Sequence, residues 1–336
     1  MILRTILVGV GGGGQWAVEL FGRDPKFNPV AVVDTNPTAA KVAQYRLGEM
    51  GRKGVPIFSG LTGALSQIEA DALVICSPTP THAEYCHMGF SVSQHVLVDS
   101  PLATDWGRAK ALVDEAQAAW SKFCVVERDR YSAIEQTVGH ILRTPAHPAY
   151  PGEPKRAEFL QHSWLKEGGA YDENNAGLWP LLVRHADTLA AWLGPVKQVS
   201  GARLSRAPWS DWIHDSEVDA VIEHATGAVV TYSLSFDAAV ARDEIVLEGD
   251  RGALAMVGHA ELYFYPRGGG EGGVQAVDIL DVLPTEQVIA DEWFKYIVED
   301  VEPPSSGKIH LQSLAVAEML ARSSKEGRAV ARSELG

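Results

Sequence analysis

The sequence predicts a two-domain protein, in which an α/β domain with a doubly wound parallel sheet precedes an α+β domain with an open, mainly antiparallel sheet. Three observations predict this class. Short apolar runs alternate with helical patterns up to about residue 125, a glycine-rich turn joins the first run to the first helical pattern, and longer strand-like runs follow. The length of 336 residues accommodates two cores. We therefore place the domains at residues 1–125 and 126–336.

Five apolar runs predict the strands of the N-terminal sheet. Nearly all of their residues are Val, Ile, Leu, Ala or Cys, which is typical of parallel strands buried on both faces. Helical patterns such as Trp106–Ala119 lie between them, so we expect βαβ units with right-handed crossovers. The runs are Thr5–Val10, Pro29–Asp34, Ala70–Ser77, His95–Asp99 and Lys122–Val126.

Longer runs predict the strands of the second domain. The turns Ala225-Thr226-Gly227 and Asp250-Arg251-Gly252 join pairs of runs into hairpins, which indicates antiparallel pairing. The runs are Arg156–Trp164, Val196–Leu204, Asp219–His224, Ala228–Phe236, Glu244–Gly249, Ala253–Val257 and Glu261–Tyr265. Helices are predicted over Ser132–Leu142, Leu178–Leu193, Glu292–Val298 and Leu311–Lys325.

The composition argues against several function classes. The chain carries 29 basic and 43 acidic residues, a formal charge of -14, so nucleic acids and anionic membranes are poor partners. The three cysteines lie in apolar surroundings without metal-ligand spacing, so we expect buried thiols and no metal site. No secretory signal is recognised and no apolar stretch approaches the ~20 residues of a membrane span, so a cytoplasmic location is expected.

A glycine motif lies between the first strand and the first helix. Gly9, Gly11 and Gly14 fit the GxGxxG pattern, and the helical segment Gln15–Phe21 follows directly. The first glycine permits a tight turn, the second lets the backbone approach a pyrophosphate, and the third allows helix and strand to pack closely. Asp34 ends the second strand about 20 residues further on, where a carboxylate binds ribose hydroxyls. The N-terminal half is therefore predicted to be a Rossmann domain that binds a nicotinamide dinucleotide.

The residues after the second strand favour NAD over NADP. A carboxylate at Asp34 repels a 2′-phosphate, and the following Thr35-Asn36-Pro37 supplies no cation to offset that repulsion. Backbone amides at the start of the first helix are expected to face the phosphates. The cofactor-binding residues predicted in this half of the site are Gly9, Gly11, Gly12, Gly13, Gly14, Gln15, Trp16, Asp34, Thr35 and Asn36.

Three further segments, together with this motif, resemble the Gfo/Idh/MocA family of glucose–fructose oxidoreductases, inositol dehydrogenases and rhizopine-catabolism proteins. Cys76–His82 is similar to the turn after the family's fourth strand, which passes over the nicotinamide half of the cofactor. Gln94–Ala103 resembles the segment that carries a glutamate-lysine-proline triplet, and Gly177–His185 resembles the helix with a GxxxDxGxH pattern. The resemblance covers nearly the whole chain. It implies further cofactor contacts by Ser77, Pro78, Thr79, His82, Asp99 and Ser100.

The sequence departs from the family at two catalytic positions. The triplet reads Asp99-Ser100-Pro101, so a serine replaces the lysine that acts as acid and base beside the nicotinamide. Leu181 replaces the aspartate four residues before His185. A serine hydroxyl donates a hydrogen bond but supplies no proton near neutral pH, and leucine supplies neither. His185 remains, and proton transfer is expected from its imidazole, from a tyrosine or from water.

The resemblance also guides the choice of candidate site residues. The predicted catalytic residues are His185, Ser100 and Tyr171, and the predicted substrate-binding residues are Arg130, Tyr131, His162, Trp164, Tyr171 and His185. Period-two alternation places His162 and Trp164 on one face of their strand, which we take as the cleft side. The alternatives are a structural histidine in an apolar helix, a serine that only lines the cofactor site, and an exposed salt bridge of Arg130 at the domain junction.

The resemblance implies an NAD(P)-dependent oxidoreductase that transfers a hydride to or from a small polar substrate, such as a modified sugar, a cyclitol or a biosynthetic ketone or imine. One alternative is redox-neutral NAD-dependent chemistry, as in a lyase, an epimerase or a glycosidase. The other is a catalytically silent NAD-binding sensor or partner subunit. A homo-oligomer, either a dimer or a tetramer, is expected to form through the C-terminal sheet.

Overall fold

A computed structural model describes residues 1–164, 178–206, 215–258, 260–269 and 273–336. The chain divides into two compact units, the first of residues 1–127 and 283–311, the second of residues 128–282 and 312–336. Our boundary at residue 125 lies close to the first division. The assignment of residues 283–311 to the second domain differs from the observed division, because these residues return to the first unit.

The described strands are, in chain order, β1 (Leu3–Val8), β2 (Phe27–Val33), β3 (Ile57–Phe58), β4 (Ala72–Ile75), β5 (His95–Asp99), β6 (Phe123–Val126), β7 (Arg156–Trp164), β8 (Val196–Ser205), β9 (Glu217–His224), β10 (Val229–Ser235), β11 (Asp237–Glu248), β12 (Gly252–Val257), β13 (Glu261–Pro266), β14 (Gln275–Ala276) and β15 (Val330–Ala331). They form one sheet in each unit. The first sheet has six strands in the order β3-β2-β1-β4-β5-β6, and the second has nine in the order β14-β13-β12-β11-β7-β10-β9-β8-β15.

The described helices are α1 (Gln15–Arg23), α2 (Pro37–Glu49), α3 (Leu61–Leu65), α4 (His82–Ser91), α5 (Trp106–Ala118), α6 (Ala133–Leu142), α7 (Trp179–Leu193), α8 (Thr285–Glu299) and α9 (Gly307–Glu326). Local signals fix several of their starts. The Asn36 side chain accepts the backbone N–H groups of Thr38 and Ala39, and Pro37 occupies the first turn of α2. None of the helices in the described part of the chain has the length and apolar character that a membrane crossing requires.

The sheet of the first unit is parallel and buried, as predicted. β1 pairs with β2 on one side and β4 on the other, so the strand order reverses between β1 and β4. The core residues of β4 and β6 are fully buried on both faces, which explains their unbroken apolar sequence. The carboxyl ends of the strands on either side of the reversal form the edge where ligands bind in doubly wound sheets.

Helix α8 belongs to the first unit because of Trp293. Its side chain is fully buried, its ring stacks on Phe27 with centroids 6.1 Å apart, and Phe21 meets it edge-on at 6.4 Å. The indole N–H donates to the carbonyl oxygen of Lys122 at 3.1 Å. A distant apolar helix thus completes the core of the parallel sheet, and a sequence-based boundary drawn from local texture misses such a return.

In the described sheet of the second unit, β7 and β10 form a parallel pair and the other neighbouring strands are antiparallel. The β9–β10 and β11–β12 pairs are antiparallel, as the turns at residues 225–227 and 250–252 predict. β7 lies between β10 and β11, parallel to the first and antiparallel to the second. The apolar face of α7 is buried, including Leu182, Val183 and Leu189. The predicted mainly antiparallel sheet is therefore confirmed, with β7 as a central strand.

Candidate functional site

The glycine turn of the first unit is crowded on one side and open on the other. Gly9 has φ +76°, and a Cβ there would lie 2.5 Å from the backbone nitrogen of Ser77. A Cβ on Gly14 would lie 1.8 Å from the carbonyl oxygen of Gly9. For Gly12 and Gly13, no described heavy atom lies within 4 Å of a Cβ. The turn thus requires glycine at its first and last positions and leaves space above its middle, where a pyrophosphate is expected.

The start of α1 is suited to an anion. Gly12–Gly14 form a single 3-10 turn that leads into α1, and among the described residues no side chain caps this start. The first backbone N–H groups of a helix carry partial positive charge and need an acceptor. Gln15 is exposed and Trp16 is half-buried at this position. The residues present therefore fit the diphosphate of a dinucleotide.

Asp34 connects the end of β2 to the glycine turn. Its Oδ2 accepts hydrogen bonds from the backbone N–H groups of Val10 at 2.9 Å and Gly11 at 3.1 Å. Its Oδ1 accepts from the backbone N–H of Asn36 at 2.8 Å. The carboxylate therefore lies directly beside the turn, where the predicted contact with ribose hydroxyls requires it. Asn36 caps α2 with its side chain, and Thr35 is exposed.

The loops after β4 and β5 are joined by His82. Its side chain is buried, with Nδ1 2.8 Å from the carbonyl oxygen of Pro101 and Nε2 2.6 Å from that of Ser77. Burial lowers the pKa of His82. Both ring nitrogens of His82 lie beside backbone carbonyl oxygens, which suits a role in positioning the two loops, and the cofactor contact predicted for His82 stays a prediction. Ser77 and Thr79 are half-buried and remain candidates for contact.

Ser100 lies at the carboxyl end of β5 and is half-buried. Its Oγ donates to Oε2 of Glu127 at 2.7 Å, and its backbone N–H donates to Oδ1 of Asp99 at 3.1 Å. Glu127 follows β6 directly and is buried. Nδ1 of His310, also buried, lies 3.7 Å from the same oxygen of Glu127. The serine at the expected lysine position is thus the outer member of a buried polar cluster.

His185 of the second unit lies on the inner face of α7. Its Nδ1 is 2.7 Å from the phenol oxygen of Tyr232, and its ring centroid is 4.4 Å from that of Phe159. Burial raises the pKa of Tyr232, so the phenol stays neutral and fixes the imidazole by a hydrogen bond. The side chain is held from two sides, which suits a residue that must present one ring edge in a fixed direction.

A cavity of about 200 Å³ adjoins His185. Strands β7 and β11 form its floor and helices α6 and α7 its walls. The described lining residues are Asp129, Glu135, Phe159, Gln161, Ser163, Leu181, Arg184, His185, Thr188, Phe236, Asp243, Ile245 and Met256. Apolar and polar groups alternate in this lining, as in sites for small polar molecules.

Glu135 is the most strongly perturbed acid of this cavity. Burial raises its pKa to about 8, and the nearby carboxylate of Asp129 adds to the effect. The Thr188 hydroxyl lies 3.0 Å and 2.9 Å from the two carboxyl oxygens. At neutral pH the carboxyl group is therefore mainly protonated and can donate a hydrogen bond. Such perturbed acids in a cavity are frequent at functional sites.

Arg184 contributes little free positive charge to the cavity. Its guanidinium forms a two-pronged pair with Asp129, with Nε–Oδ2 2.9 Å and Nη2–Oδ1 2.6 Å. Bidentate geometry holds the two groups firmly together. The charge of the arginine is thus balanced within the lining, and the cavity suits an uncharged polar molecule better than a polyanion.

Arg130, which the sequence suggests as a substrate-binding residue, forms an ion pair within the second unit. It pairs with Asp187 through two contacts of 2.7 Å, and the Ser313 hydroxyl donates to the same carboxylate at 2.9 Å. The side chains are 14% and 2% exposed, so this is a buried ion pair and not the exposed one given as the alternative. Tyr131 is buried as well. Both positions suit packing within the second unit, and the substrate contacts predicted for these residues stay predictions.

His162 and Trp164 lie on the opposite face of β7 from the cavity. Phe159, Gln161 and Ser163 line the cavity, so period-two alternation turns the even-numbered side chains away from it. His162 Nε2 is 2.9 Å from the Ser233 hydroxyl on that other face. Both residues share one face, as expected, and that face does not line this cavity, so their predicted substrate contacts stay predictions. Tyr171, the remaining candidate, lies outside the described residues.

Sequence reasoning missed the carboxyl groups of Glu135 and Glu127. The spacing of Ser132 and Glu135 is that of a capping box, and the Ser132 hydroxyl does accept the backbone N–H of Glu135 at 3.3 Å. The glutamate side chain turns instead to Thr188. Glu127 stands directly after an apolar strand at the sheet edge, and this position was the available signal.

Comparison with known proteins agrees with this architecture. Residues 3–126 match a family model described as an oxidoreductase family with an NAD-binding Rossmann fold. The chain is 24% identical over 237 residues to a 4-carboxy-2-hydroxymuconate-6-semialdehyde dehydrogenase from Sphingobium sp., an alignment that covers 70% of this chain and 72% of the relative. It is 27% identical over 183 residues to a glycosyl hydrolase family 109 protein from Porphyromonas gingivalis, covering 53% of this chain and 36% of that protein.

Solved structures show the same fold over nearly the whole chain. An oxidoreductase from Agrobacterium radiobacter in complex with NAD+, L-tartaric acid and magnesium has a TM-score of 0.81 at 19% identity, with 100% of both chains covered. The WlbA dehydrogenase from Bordetella pertussis in complex with NADH and UDP-GlcNAcA has a TM-score of 0.78 at 20% identity, with 98% of this chain and 97% of that chain covered.

Proposed function

We propose that this chain, whose residues 3–126 match the NAD-binding Rossmann fold of the Gfo/Idh/MocA oxidoreductase family, transfers a hydride between NAD and a small, uncharged polar substrate. The reacting carbon of the substrate carries a hydroxyl, carbonyl or imine group, as in a modified sugar, a cyclitol or a biosynthetic ketone. NAD supplies the hydride chemistry when it is bound. The chain's own residues bind the dinucleotide, orient the substrate and handle its proton.

The observation that carries the proposal is the glycine turn with Asp34 beside it. The crowding at Gly9 and Gly14 makes glycine obligatory there, and the open space at Gly12 and Gly13 accepts a diphosphate. The Asp34 carboxylate, within hydrogen-bond distance of the Gly11 backbone N–H, supports binding of the adjoining ribose and disfavours a 2′-phosphate. A turn that served only to connect strand and helix would not require this combination.

The cavity beside His185 supports the choice of substrate class. Its lining offers one imidazole, one protonated carboxyl group on Glu135 and the amide of Gln161, all suited to hydroxyl and carbonyl oxygens. Arg184 is neutralised by Asp129. We assign His185 and Glu135 to polar groups of the substrate.

Nucleotide titration tests the cofactor half of this proposal. Wild-type protein is titrated with NAD+ and NADP+ while tryptophan fluorescence and melting temperature are recorded. Asp34→Asn should weaken NAD+ binding by about tenfold, because a hydrogen bond to a charged group contributes about 1.5 kcal/mol. The substitution should also reduce the ratio of NAD+ affinity to NADP+ affinity. Asp114→Asn, an exposed carboxylate on α5, is the matched control. If neither nucleotide changes fluorescence or melting, the cofactor assignment is wrong.

A turnover screen tests the reaction class. The protein is incubated with NAD+ and a panel of polyols, sugars and amino sugars, and the absorbance of reduced nicotinamide is followed together with product analysis. We expect stoichiometric reduction of NAD+. If product forms without net reduction of NAD+, the proposed hydride transfer is wrong, and the reaction is redox-neutral with NAD bound throughout the cycle. Nucleotide binding without product from any of these classes would favour a binding protein.

We also propose that the outer face of the second sheet forms the contact of a homo-oligomer. Trp164, Val221 and Val229 lie on neighbouring strands of that face and are 62%, 40% and 38% exposed. Exposed apolar side chains at several positions of one sheet face favour association. Sedimentation should give a dimer or tetramer for wild type and a smaller species for Trp164→Asp. A wild-type monomer at all concentrations would contradict the assignment.

A further inference from the structure

We propose that Ser100, Glu127 and His310 form a proton relay, in which the Ser100 hydroxyl meets the reacting oxygen and passes its proton to the Glu127–His310 pair. This inference rests on the proposed hydride transfer. Ser100 stands at the expected lysine position and is not itself a base. The relay supplies the base that the site needs. Ser100 is the group that contacts substrate, and the other two residues act through it.

The topology of the first unit brings the members together. Asp99 of β5 and Val126 of β6 are paired in register, so the next residues, Ser100 and Glu127, leave neighbouring strands at the same carboxyl edge. His310 lies in the first turns of α9. In doubly wound sheets this edge, on the far side of the order reversal from the adenosine half, receives the second nucleotide. The cluster therefore lies where hydride transfer is expected.

The geometry fits a chain of proton transfers. Ser100 Oγ donates to Oε2 of Glu127 at 2.7 Å, a short distance typical of a hydroxyl bound to a carboxylate. His310 Nδ1 lies 3.7 Å from that same oxygen. One carboxylate oxygen thus lies next to both an outer hydroxyl and an inner imidazole.

The two ends of the cluster differ in burial. The side chains of Glu127 and His310 are each 2% exposed, whereas Ser100 is half-buried. A carboxylate removed from water is costly unless a proton or a charged partner is available, and His310 can supply either. A ligand at the sheet edge therefore reaches the pair through the serine hydroxyl.

The step balances without a further reactant. In the oxidative direction the C–H bond of the substrate breaks and its hydride passes to NAD+, which is reduced, while the C–O single bond becomes C=O. The substrate hydroxyl proton moves to Ser100 Oγ as the serine proton moves to Glu127, and the proton is held between Glu127 and His310. Reduction of a carbonyl reverses each transfer. A serine alone cannot do this, because a hydroxyl is far too weak a base at neutral pH.

Calorimetry of nucleotide binding tests the relay without a substrate. NAD+ and NADH are titrated into the full-length protein in two buffers of different ionisation enthalpy, which yields the number of protons released. The nicotinamide ring of NAD+ is positively charged, so it should drive part of a proton off the pair, while uncharged NADH should not. We expect release of roughly 0.3 to 0.5 proton with NAD+, and less than a third of that in Glu127→Gln.

Matched variants separate the relay from a structural role. Glu49→Gln, an exposed carboxylate on α2, should release as much as wild type. Ser100→Ala should lower the release at least twofold, whereas Ser100→Thr, which keeps the hydroxyl, should preserve it. With any substrate found in the screen, Ser100→Ala and Glu127→Gln should lower kcat by about 100-fold or more with little change in KM, and Ser100→Thr should recover most of the loss.

Two results would overturn the inference. One is equal proton release by wild type, Ser100→Ala and Glu127→Gln; the other is turnover of both variants within about threefold of wild type. Ser100→Ala places no charge in the interior, so it keeps the test valid if Glu127→Gln fails to fold. The absence of any binding heat with NAD+ would instead refute the cofactor assignment on which the relay rests, which distinguishes the two failures.

Discussion

Replacement of Glu135 by glutamine should make the protein increasingly more stable than wild type as the pH rises. Burial raises the pKa of Glu135 from 4.5 to about 8 in the folded protein. The folded state therefore keeps a proton that the unfolded state loses near pH 4.5. Between these values the folded state binds more protons, so the unfolding free energy of wild type falls with rising pH. Glutamine does not titrate and still offers Thr188 an acceptor.

The size of the effect follows from the same values. A pKa rise of roughly 3.5 pH units corresponds to about 5 kcal/mol, since one unit is worth about 1.4 kcal/mol. The two proteins should differ little in unfolding free energy below pH 4.5. Above pH 4.5, the unfolding free energy of Glu135→Gln should exceed that of wild type by a steadily growing amount. This difference should level off above about pH 8. Relaxation of the charged wild-type side chain toward the cavity makes 5 kcal/mol the upper limit.

Urea unfolding at a series of pH values measures this difference. Both proteins are followed by tryptophan fluorescence, and the difference in unfolding free energy is plotted against pH. Glu158→Gln, an exposed carboxylate on β7, is the control and should show no comparable trend. A difference that stays constant from pH 4 to about pH 9 would refute the reasoning, because it would mean that Glu135 titrates alike in both states.

Three further substitutions test the packing described above. Gly14→Ala should destabilise the turn and lower NAD+ affinity by more than tenfold, since its methyl group meets a backbone oxygen, whereas Gly12→Ala should leave the melting temperature of the free protein nearly unchanged. Asp187→Asn should cost about 3 kcal/mol in urea unfolding, because it leaves the buried guanidinium of Arg130 without its carboxylate; an unchanged midpoint would contradict that ion pair. Trp293→Ala should cost about 3 to 5 kcal/mol in the same assay, and a loss below 1 kcal/mol would show that the first unit does not depend on α8.

We propose that Glu135 binds the substrate and that Ser100 belongs to a proton relay. In the family pattern a lysine and an aspartate share the tasks of substrate binding and proton transfer. Burial raises the pKa of the acid on α6 to about 8, so this carboxyl group is mainly protonated at neutral pH. The acid after β6 lies beside a histidine and is proposed to exchange a proton. The two carboxyl groups thus have different surroundings, and we propose different roles for them.

The parallel sheet, the hairpins and the glycine turn could be predicted before the structure was known, because each is encoded by neighbouring residues. Apolar runs specify β4 and β6, and the spacing from Gly9 to Asp34 specifies the dinucleotide edge. These signals are local or extend over a single βαβ unit. The predicted ends of most elements therefore lie within a few residues of the observed ones.

Contacts between distant side chains could not be predicted in this way, because they depend on how the elements pack. Alternation showed that His162 and Trp164 share a face of β7, but the choice of face depended on where α7 packs. The partner of Arg130 on α7, and the return of α8 to the first sheet, are contacts between residues far apart in the sequence. A sequence pattern records the period of burial along one element. The convergence of distant polar groups depends instead on how whole elements pack. The polar clusters around Glu135 and Glu127 were therefore found only in the folded structure.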